Sequence, residues 1–350
     1  MNSNLKELTA LADKGDAKAQ FELATMLFHG YKLKENKDDA VTWFLKSAEN
    51  GHAPAQLNLG LILQSNKPDK TERESALMWV QKAANQAYPE AMTHLGSLYV
   101  AGSLVEKNLQ EAVKWYKRAA DQGNPSGQYN LGCMYASGMG VTKDNKEAVK
   151  WITAAADQGD NDAEYNLGCM YFEGQILDQD YKLAFKWYQK SAEHGHPEAQ
   201  SNLGALYENG HGTIQDYTAA EKWYLKAANQ GLQEAQYNLG VIYQNTITEK
   251  IDLEKAAEWF LKSAEQGNCN AQYNLACKYY NGEGIEQNYS EAARWYRMAA
   301  EQGDAEAQNN LGWMHANGEG VTKDNNEAAK WLTEAAKNGN LSAIKLLKDI

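Results

Sequence analysis

The stretch GQYNLGCMYASGMGVTKDNKEAVKWITAAADQG, residues 127–159, holds two helical patterns joined by a pair of glycines. Leu131, Met134 and Tyr135 fall at i, i+3 and i+4, one face of a first helix. Gly138 and Gly140 then interrupt as Gly-Met-Gly-Val, a turn with backbone angles that other residues resist. Asp144 and Glu147 have the spacing of a capping box that opens a second helix. Its apolar stripe is Ala148, Trp151, Ile152, Ala155 and Ala156, and Gly159 ends it at the left-handed position beyond the last turn. The stretch predicts a helical hairpin.

Working outward, the same features return every 36 residues. Trp43, Trp79, Trp115, Trp151, Trp187, Trp223, Trp259, Trp295 and Trp331 keep this step without an insertion. So do Gly60, Gly96, Gly132, Gly168, Gly204, Gly240 and Gly312, with Ala24 and Ala276 in the remaining places. A leucine precedes each, from Leu23 to Leu311. A glycine inside a helix costs about 1 kcal/mol against alanine. Its recurrence predicts a close approach of the second helix, with the Trp of the same unit lying over the gap. Pro54, Pro89, Pro125 and Pro197 sit where first helices open, since a missing N–H is harmless there. No hairpin buries both faces alone, so the units must stack. The expected architecture is all-α: one solenoid over residues 1–350, with a capping helix in 1–15, nine repeats in 16–339 and a capping helix in 340–350.

The run Ala-Gln-Tyr-Asn-Leu-Gly-Cys-Met-Tyr-x-x-Gly-x-Gly-Val, followed by Ala-x-x-Trp-Tyr-x-x-Ala-Ala-x-x-Gly, resembles the Sel1-like repeat, a relative of the tetratricopeptide repeat. The resemblance implies a right-handed α/α solenoid and an interaction scaffold or adaptor, typically a bacterial one, that binds a protein or an extended peptide in a concave groove. A dedicated inhibitor or immunity-type protein that wraps one toxin or enzyme is the alternative; a hydrolase ranks last. Two units depart from the pattern: Gln64–Arg73 and Gln244–Asp252 lack the turn glycines, which predicts differently shaped turns of unchanged length.

Other classes lose support from the residues themselves. A net charge of -12 does not suit a phosphate-binding surface, so no nucleic-acid partner is expected. No apolar run reaches the ~18–20 residues that cross a bilayer, and residues 1–16 lack the pattern of a leader. The Gly-x-Gly turns lack the strand and third glycine of a dinucleotide loop. The histidines, His194 and His196 included, have no metal-ligand spacing, and no serine sits in a triad-like context. No cofactor, metal or catalytic residue is therefore expected, and the chain is read as a non-enzyme. Cys133, Cys169 and Cys277 occupy one repeat position; equivalent residues ~8–10 Å apart exceed the reach of a disulfide. Free thiols favour the cytoplasm over a periplasmic or secreted setting.

By analogy with tetratricopeptide packing, the groove is lined by residues three and two before the helix glycine, and one and four after it. Two before it stand six asparagines, Asn130, Asn166, Asn202, Asn238, Asn274 and Asn310. Tyr129, Tyr165, Tyr237 and Tyr273 precede four of these. An Asn amide both donates and accepts, so a ladder of them suits an extended backbone of any sequence. The same asparagines also fit a scaffold role, capping a neighbouring loop. Trp313 is the one tryptophan outside the register: it either plugs the C-terminal cap at Leu341–Leu347 or anchors a partner.

Overall fold

A computed structural model describes residues 3–65, 69–245 and 251–348, in which every element is a helix and no strand occurs. Packing groups the chain into two units, residues 1–178 and 179–350. The first unit holds α1 (Ser3–Asp13), α2 (Ala17–His29), α3 (Lys37–Glu49), α4 (Ala53–Gln64), α5 (Lys70–Asn85), α6 (Pro89–Ala101), α7 (Leu109–Ala120), α8 (Pro125–Ser137), α9 (Asn145–Ala156) and α10 (Asn161–Glu173). The second holds α11 (Tyr181–Glu193), α12 (Pro197–Asn209), α13 (Tyr217–Asn229), α14 (Gln233–Gln244), α15 (Leu253–Glu265), α16 (Cys269–Asn281), α17 (Tyr289–Glu301), α18 (Ala305–Asn317), α19 (Asn325–Lys337) and α20 (Leu341–Leu346). Even-numbered helices are first helices and odd-numbered ones second helices. α1 precedes the first hairpin and α20 follows the last. Within each unit the helices pack in chain order as a solenoid. The glycine-free turns expected in Gln64–Arg73 and Gln244–Asp252 fall partly outside the described residues, at 66–68 and 246–250.

The hairpin of α8 and α9 shows how the sequence builds the unit. Gly138, at φ 73°, ends α8 by donating its N–H to the Met134 carbonyl. Gly140, at φ 71°, has a second duty: a Cβ there would run into the Leu109 carbonyl at the start of α7, so the turn rests directly on the preceding hairpin. The Asp144 carboxylate caps α9 by accepting from the Lys146 and Glu147 amides. The expected capping box is only half formed. The Asp144 N–H donates to the Tyr135 carbonyl instead, which closes the turn, while Glu147 accepts from the Trp151 indole at 2.8 Å. A box with both bonds forms at Asp69 and Glu72.

The helix glycine does mark a close approach, but not beneath tryptophan. A Cβ on Gly132 would lie 2.5 Å from Ile152 Cγ1. Tyr116, Tyr224, Phe260 and Leu332 stand likewise over Gly96, Gly204, Gly240 and Gly312. These residues follow the Trp by one. A helical step of 100° turns the Trp itself away, into the seam with the preceding second helix. Trp151, for example, packs on the cluster of Ala112, Tyr116 and Ala120. Basic side chains then cover the rings from outside, as Lys226 does over Trp223 at 3.7 Å and Lys262 over Trp259 at 3.8 Å.

Buried carboxamides tie the hairpins together. Gln20, Gln56, Gln128, Gln200, Gln236, Gln272 and Gln308 are each nine-tenths or more buried. Each donates Nε2 to a carbonyl eight residues earlier, as Gln200 does to Ala192 at 3.1 Å. Their Oε1 atoms accept from an amide thirty residues later, Gln230 to Gln200 at 2.9 Å and Gln266 to Gln236 at 2.7 Å. Every such pair satisfies polar groups that burial would otherwise penalise. Met92 occupies this place in α6, and Gln122 reaches its sulfur at 3.8 Å.

Candidate partner-binding face

The residue before each helix glycine, such as Leu203 or Leu239, is wholly buried and fixes which side of a first helix faces inward. The opposite side is then a stripe at i, i+4, i+7 and i+11. In the second unit it reads Glu198, Asn202, Ala205, Asn209 on α12 and Glu234, Asn238, Val241 on α14, with Asn245 in extended backbone just past the end of α14, every one exposed or half-buried. On α16 it continues as Asn270, Asn274, Cys277, Asn281, and on α18 as Glu306, Asn310, Trp313, Asn317. In the first unit the corresponding stripes are Ser126, Asn130, Cys133, Ser137 on α8 and Asp162, Asn166, Cys169, Glu173 on α10.

The asparagines differ in what they already hold. Asn130 donates to the Ser126 carbonyl at 2.7 Å and Asn274 to the Asn270 carbonyl at 2.8 Å, one turn back in each case. Asn166 spends both donors, on the Asp162 carbonyl and on the Tyr129 hydroxyl at 2.6 Å. In the Asn166 bond a tyrosine of one first helix thus meets the asparagine of the next, and Tyr237 stands beside Asn274 in the same sense. Asn310 accepts from Asn309 at 3.4 Å and lies beside the Tyr296 hydroxyl. Asn202 and Asn238 stand half-buried on their helices.

Of the tyrosines, Tyr129, Tyr165, Tyr237 and Tyr273 are all half-buried. Desolvation pushes the phenols of Tyr129, Tyr237 and Tyr273 above their ordinary range, with Cys133 and Cys277 adding to the effect at Tyr129 and Tyr273. Burial also raises the thiols of Cys133 and Cys277, the latter accepting from Tyr296 at 3.2 Å, which holds them as thiols rather than nucleophiles. Trp313 is 41% exposed and lies beside Tyr280, whose hydroxyl donates to Glu319 at 2.8 Å. It also lines a cavity of about 330 Å³ with Leu332 and the cap residue Leu346, so a space separates part of its ring from the cap.

Two properties of this face are not among the sequence-based expectations. A second amide row, Asn209, Asn245, Asn281 and Asn317, recurs at 36 residues and is visible in principle from that period alone. Charge is also segregated. α4, α6, α8, α10, α12, α14 and α18 contain no Lys or Arg, whereas every second helix from α3 to α19 contains two or three. Lys278, the lone cation of α16, is 6% exposed and paired with Glu283 at 3.0 Å, in a place where other units have Leu98, Met134 or Ile242. Among the described residues no helix is long and apolar enough to cross a membrane, and no group of His, Cys, Asp and Glu converges as metal ligands would.

Comparison with known proteins agrees with this architecture. Residues 17–52, 53–88, 89–124, 125–160, 161–196, 197–232, 233–268, 269–304 and 305–340 each match the Sel1 repeat. No curated protein sequence matches. Among solved structures, a protective antigen of uropathogenic Escherichia coli with an SLR fold is 34% identical, with a TM-score of 0.71. The match covers 100% of this chain and 82% of that one. A Sel1 repeat protein from Oxalobacter formigenes is 32% identical with a TM-score of 0.64, over 88% of this chain and 89% of its own. The chain belongs to the Sel1 repeat family, whose members generally act by binding other proteins.

Proposed function

We propose that this protein is an interaction scaffold that holds an extended segment of a partner protein along the exposed stripe of its first helices. The amide rows carry this reading: a carboxamide at the same height on successive helices can pair with successive peptide groups without reading side chains. Tyr237, Tyr273 and Trp313 supply aromatic surface beside it. The test begins with partner capture by the full chain and proceeds to Asn202→Ala/Asn238→Ala. Each hydrogen bond is worth about 0.5–1.5 kcal/mol net, so the double change weakens binding by about 1–3 kcal/mol, while the thermal midpoint stays within about 1 °C. A fallen midpoint with affinity intact would assign these asparagines to the scaffold and sink the reading. The same complex, weighed by sedimentation, separates an adaptor with several partners from an inhibitor with one tight, stoichiometric partner.

A further inference from the structure

The charge segregation narrows the partner's chemistry, provided that the stripe is the binding face. We infer that the first-helix face of the second unit takes an extended segment carrying lysine or arginine. On α12, α14, α16 and α18 the stripe offers carboxylates at Glu198, Glu234 and Glu306, all exposed, and amides at every other polar place. The only cation on these four helices, Lys278, is buried and already neutralised by Glu283. Meanwhile α11, α13, α15, α17 and α19 carry the remaining helical cations of these hairpins, several of them folded over tryptophan rings. A net charge of -12 would allow scattered cations anywhere; here the basic neighbours of the stripe are Lys323, in the loop beside Trp313 and Asn317, and His196, 3.2 Å from Glu198, which leaves the potential of this face negative on balance. An acidic guest would be repelled, and a neutral one would leave the carboxylates unused.

Spacing refines the guest. Equivalent residues on packed helical units lie on the order of 10 Å apart, and an extended chain rises about 3.3 Å per residue. A cation at every third position therefore meets a carboxylate at each acidic helix, while the intervening peptide groups face the amide rows. The side chains of such a guest need no deep pockets, and recognition rests on backbone and charge together.

The experiment uses the full chain and a labelled, unstructured peptide of four Lys-Ser-Ser triplets, with four Glu-Ser-Ser triplets as the opposite charge. The lysine peptide should bind, with Kd rising about tenfold or more as salt goes from low to physiological strength, because exposed charges are screened. Glu198→Gln/Glu234→Gln/Glu306→Gln should weaken it about fivefold or more. Glu258→Gln/Glu265→Gln/Glu301→Gln makes the same change in net charge on exposed second-helix positions and should shift Kd less than about twofold. Equal effects of the two triples, or equal binding of the acidic peptide, would overturn the inference by reducing it to net charge. If the captured partner is lost on Asn202→Ala/Asn238→Ala but unaffected by the Glu198, Glu234 and Glu306 changes, the amide face stands and the cationic guest falls. Self-association that the first triple abolishes, with no peptide binding, would instead name a second copy as occupant and overturn it too.

Discussion

At the scale of single residues, the backbone exposes one position that the repeat leaves unfinished. Each second helix ends at a left-handed residue, which is glycine at Gly51, Gly123 and Gly159 but alanine at Ala87, with φ 62°. The left-handed region costs an L-residue about 1–2 kcal/mol. A Cβ at Gly51 or Gly123 meets nothing within 4 Å, so space is not the difficulty. Ala87→Gly should therefore stabilise the protein by about 0.5–1 kcal/mol, after the greater unfolded-state freedom of glycine is deducted. A rise of about 1–3 °C in the thermal midpoint would show it. The sequence displayed this exception openly. What it concealed was the occupant of the helix gap: Trp and the residue after it are both large at most units, and only the rotation of the helix decides which one faces the glycine.

At the scale of the element, the hairpin is a lock between that glycine and its cover. Ile152→Ala should cost about 2–5 kcal/mol through the cavity it leaves. Gly132→Ala in the native background sets a Cβ 2.5 Å from Ile152, and its overpacking cost offsets the ~1 kcal/mol of helix propensity it gains. With Ile152 truncated the shortest contact is gone and only the 3.1 Å approaches to the Ala148 carbonyl and the residue-152 amide remain, so Gly132→Ala should become markedly less costly. A double-mutant cycle in urea should return a coupling of at least about 1 kcal/mol; additive effects would contradict the lock. The hairpin itself was legible because helix periodicity, turn glycines and N-caps all survive in one dimension. The half-formed capping box was not, since the Asp144 amide finds its acceptor at Tyr135, across the turn. The Gln ladder was hidden for a similar reason. A polar residue beside Ala in a consensus reads as surface until the carbonyl it satisfies, eight residues back, comes into view. The candidate face was half legible: the first amide row announced itself by period, while charge segregation emerged only once first and second helices were told apart residue by residue.

At the scale of the whole molecule, the many buried phenols set an alkaline limit. Burial raises Tyr116 and Tyr129 in the first unit, and Tyr224 and Tyr296 in the second, above their ordinary range; Tyr224 also donates to Glu208 at 2.7 Å. An unfolded tyrosine loses its proton near pH ~10. Above that pH the unfolded chain binds fewer protons than the folded one, so stability that is full below about pH 10 declines as pH rises. The urea midpoint should be lower at pH 11 than at pH 9. Tyr224→Phe/Tyr296→Phe should flatten that dependence, which separates the phenols from the lysines that titrate nearby. An unchanged slope would place the alkaline loss elsewhere.

The carboxamide contacts between hairpins join the same residue types at the same offsets, Gln200 to Ala192 and Gln230, then Gln236 to Ala228 and Gln266. A junction of this kind does not record which two hairpins it connects. Unequal recombination that duplicates or drops 36 codons between two hairpins of this kind thus leaves the new boundary with its donors and acceptors already matched. Under the proposed binding role, the length of guest the protein can cover becomes a quantity that evolution can change by counting, one hairpin at a time, with no interface to reinvent.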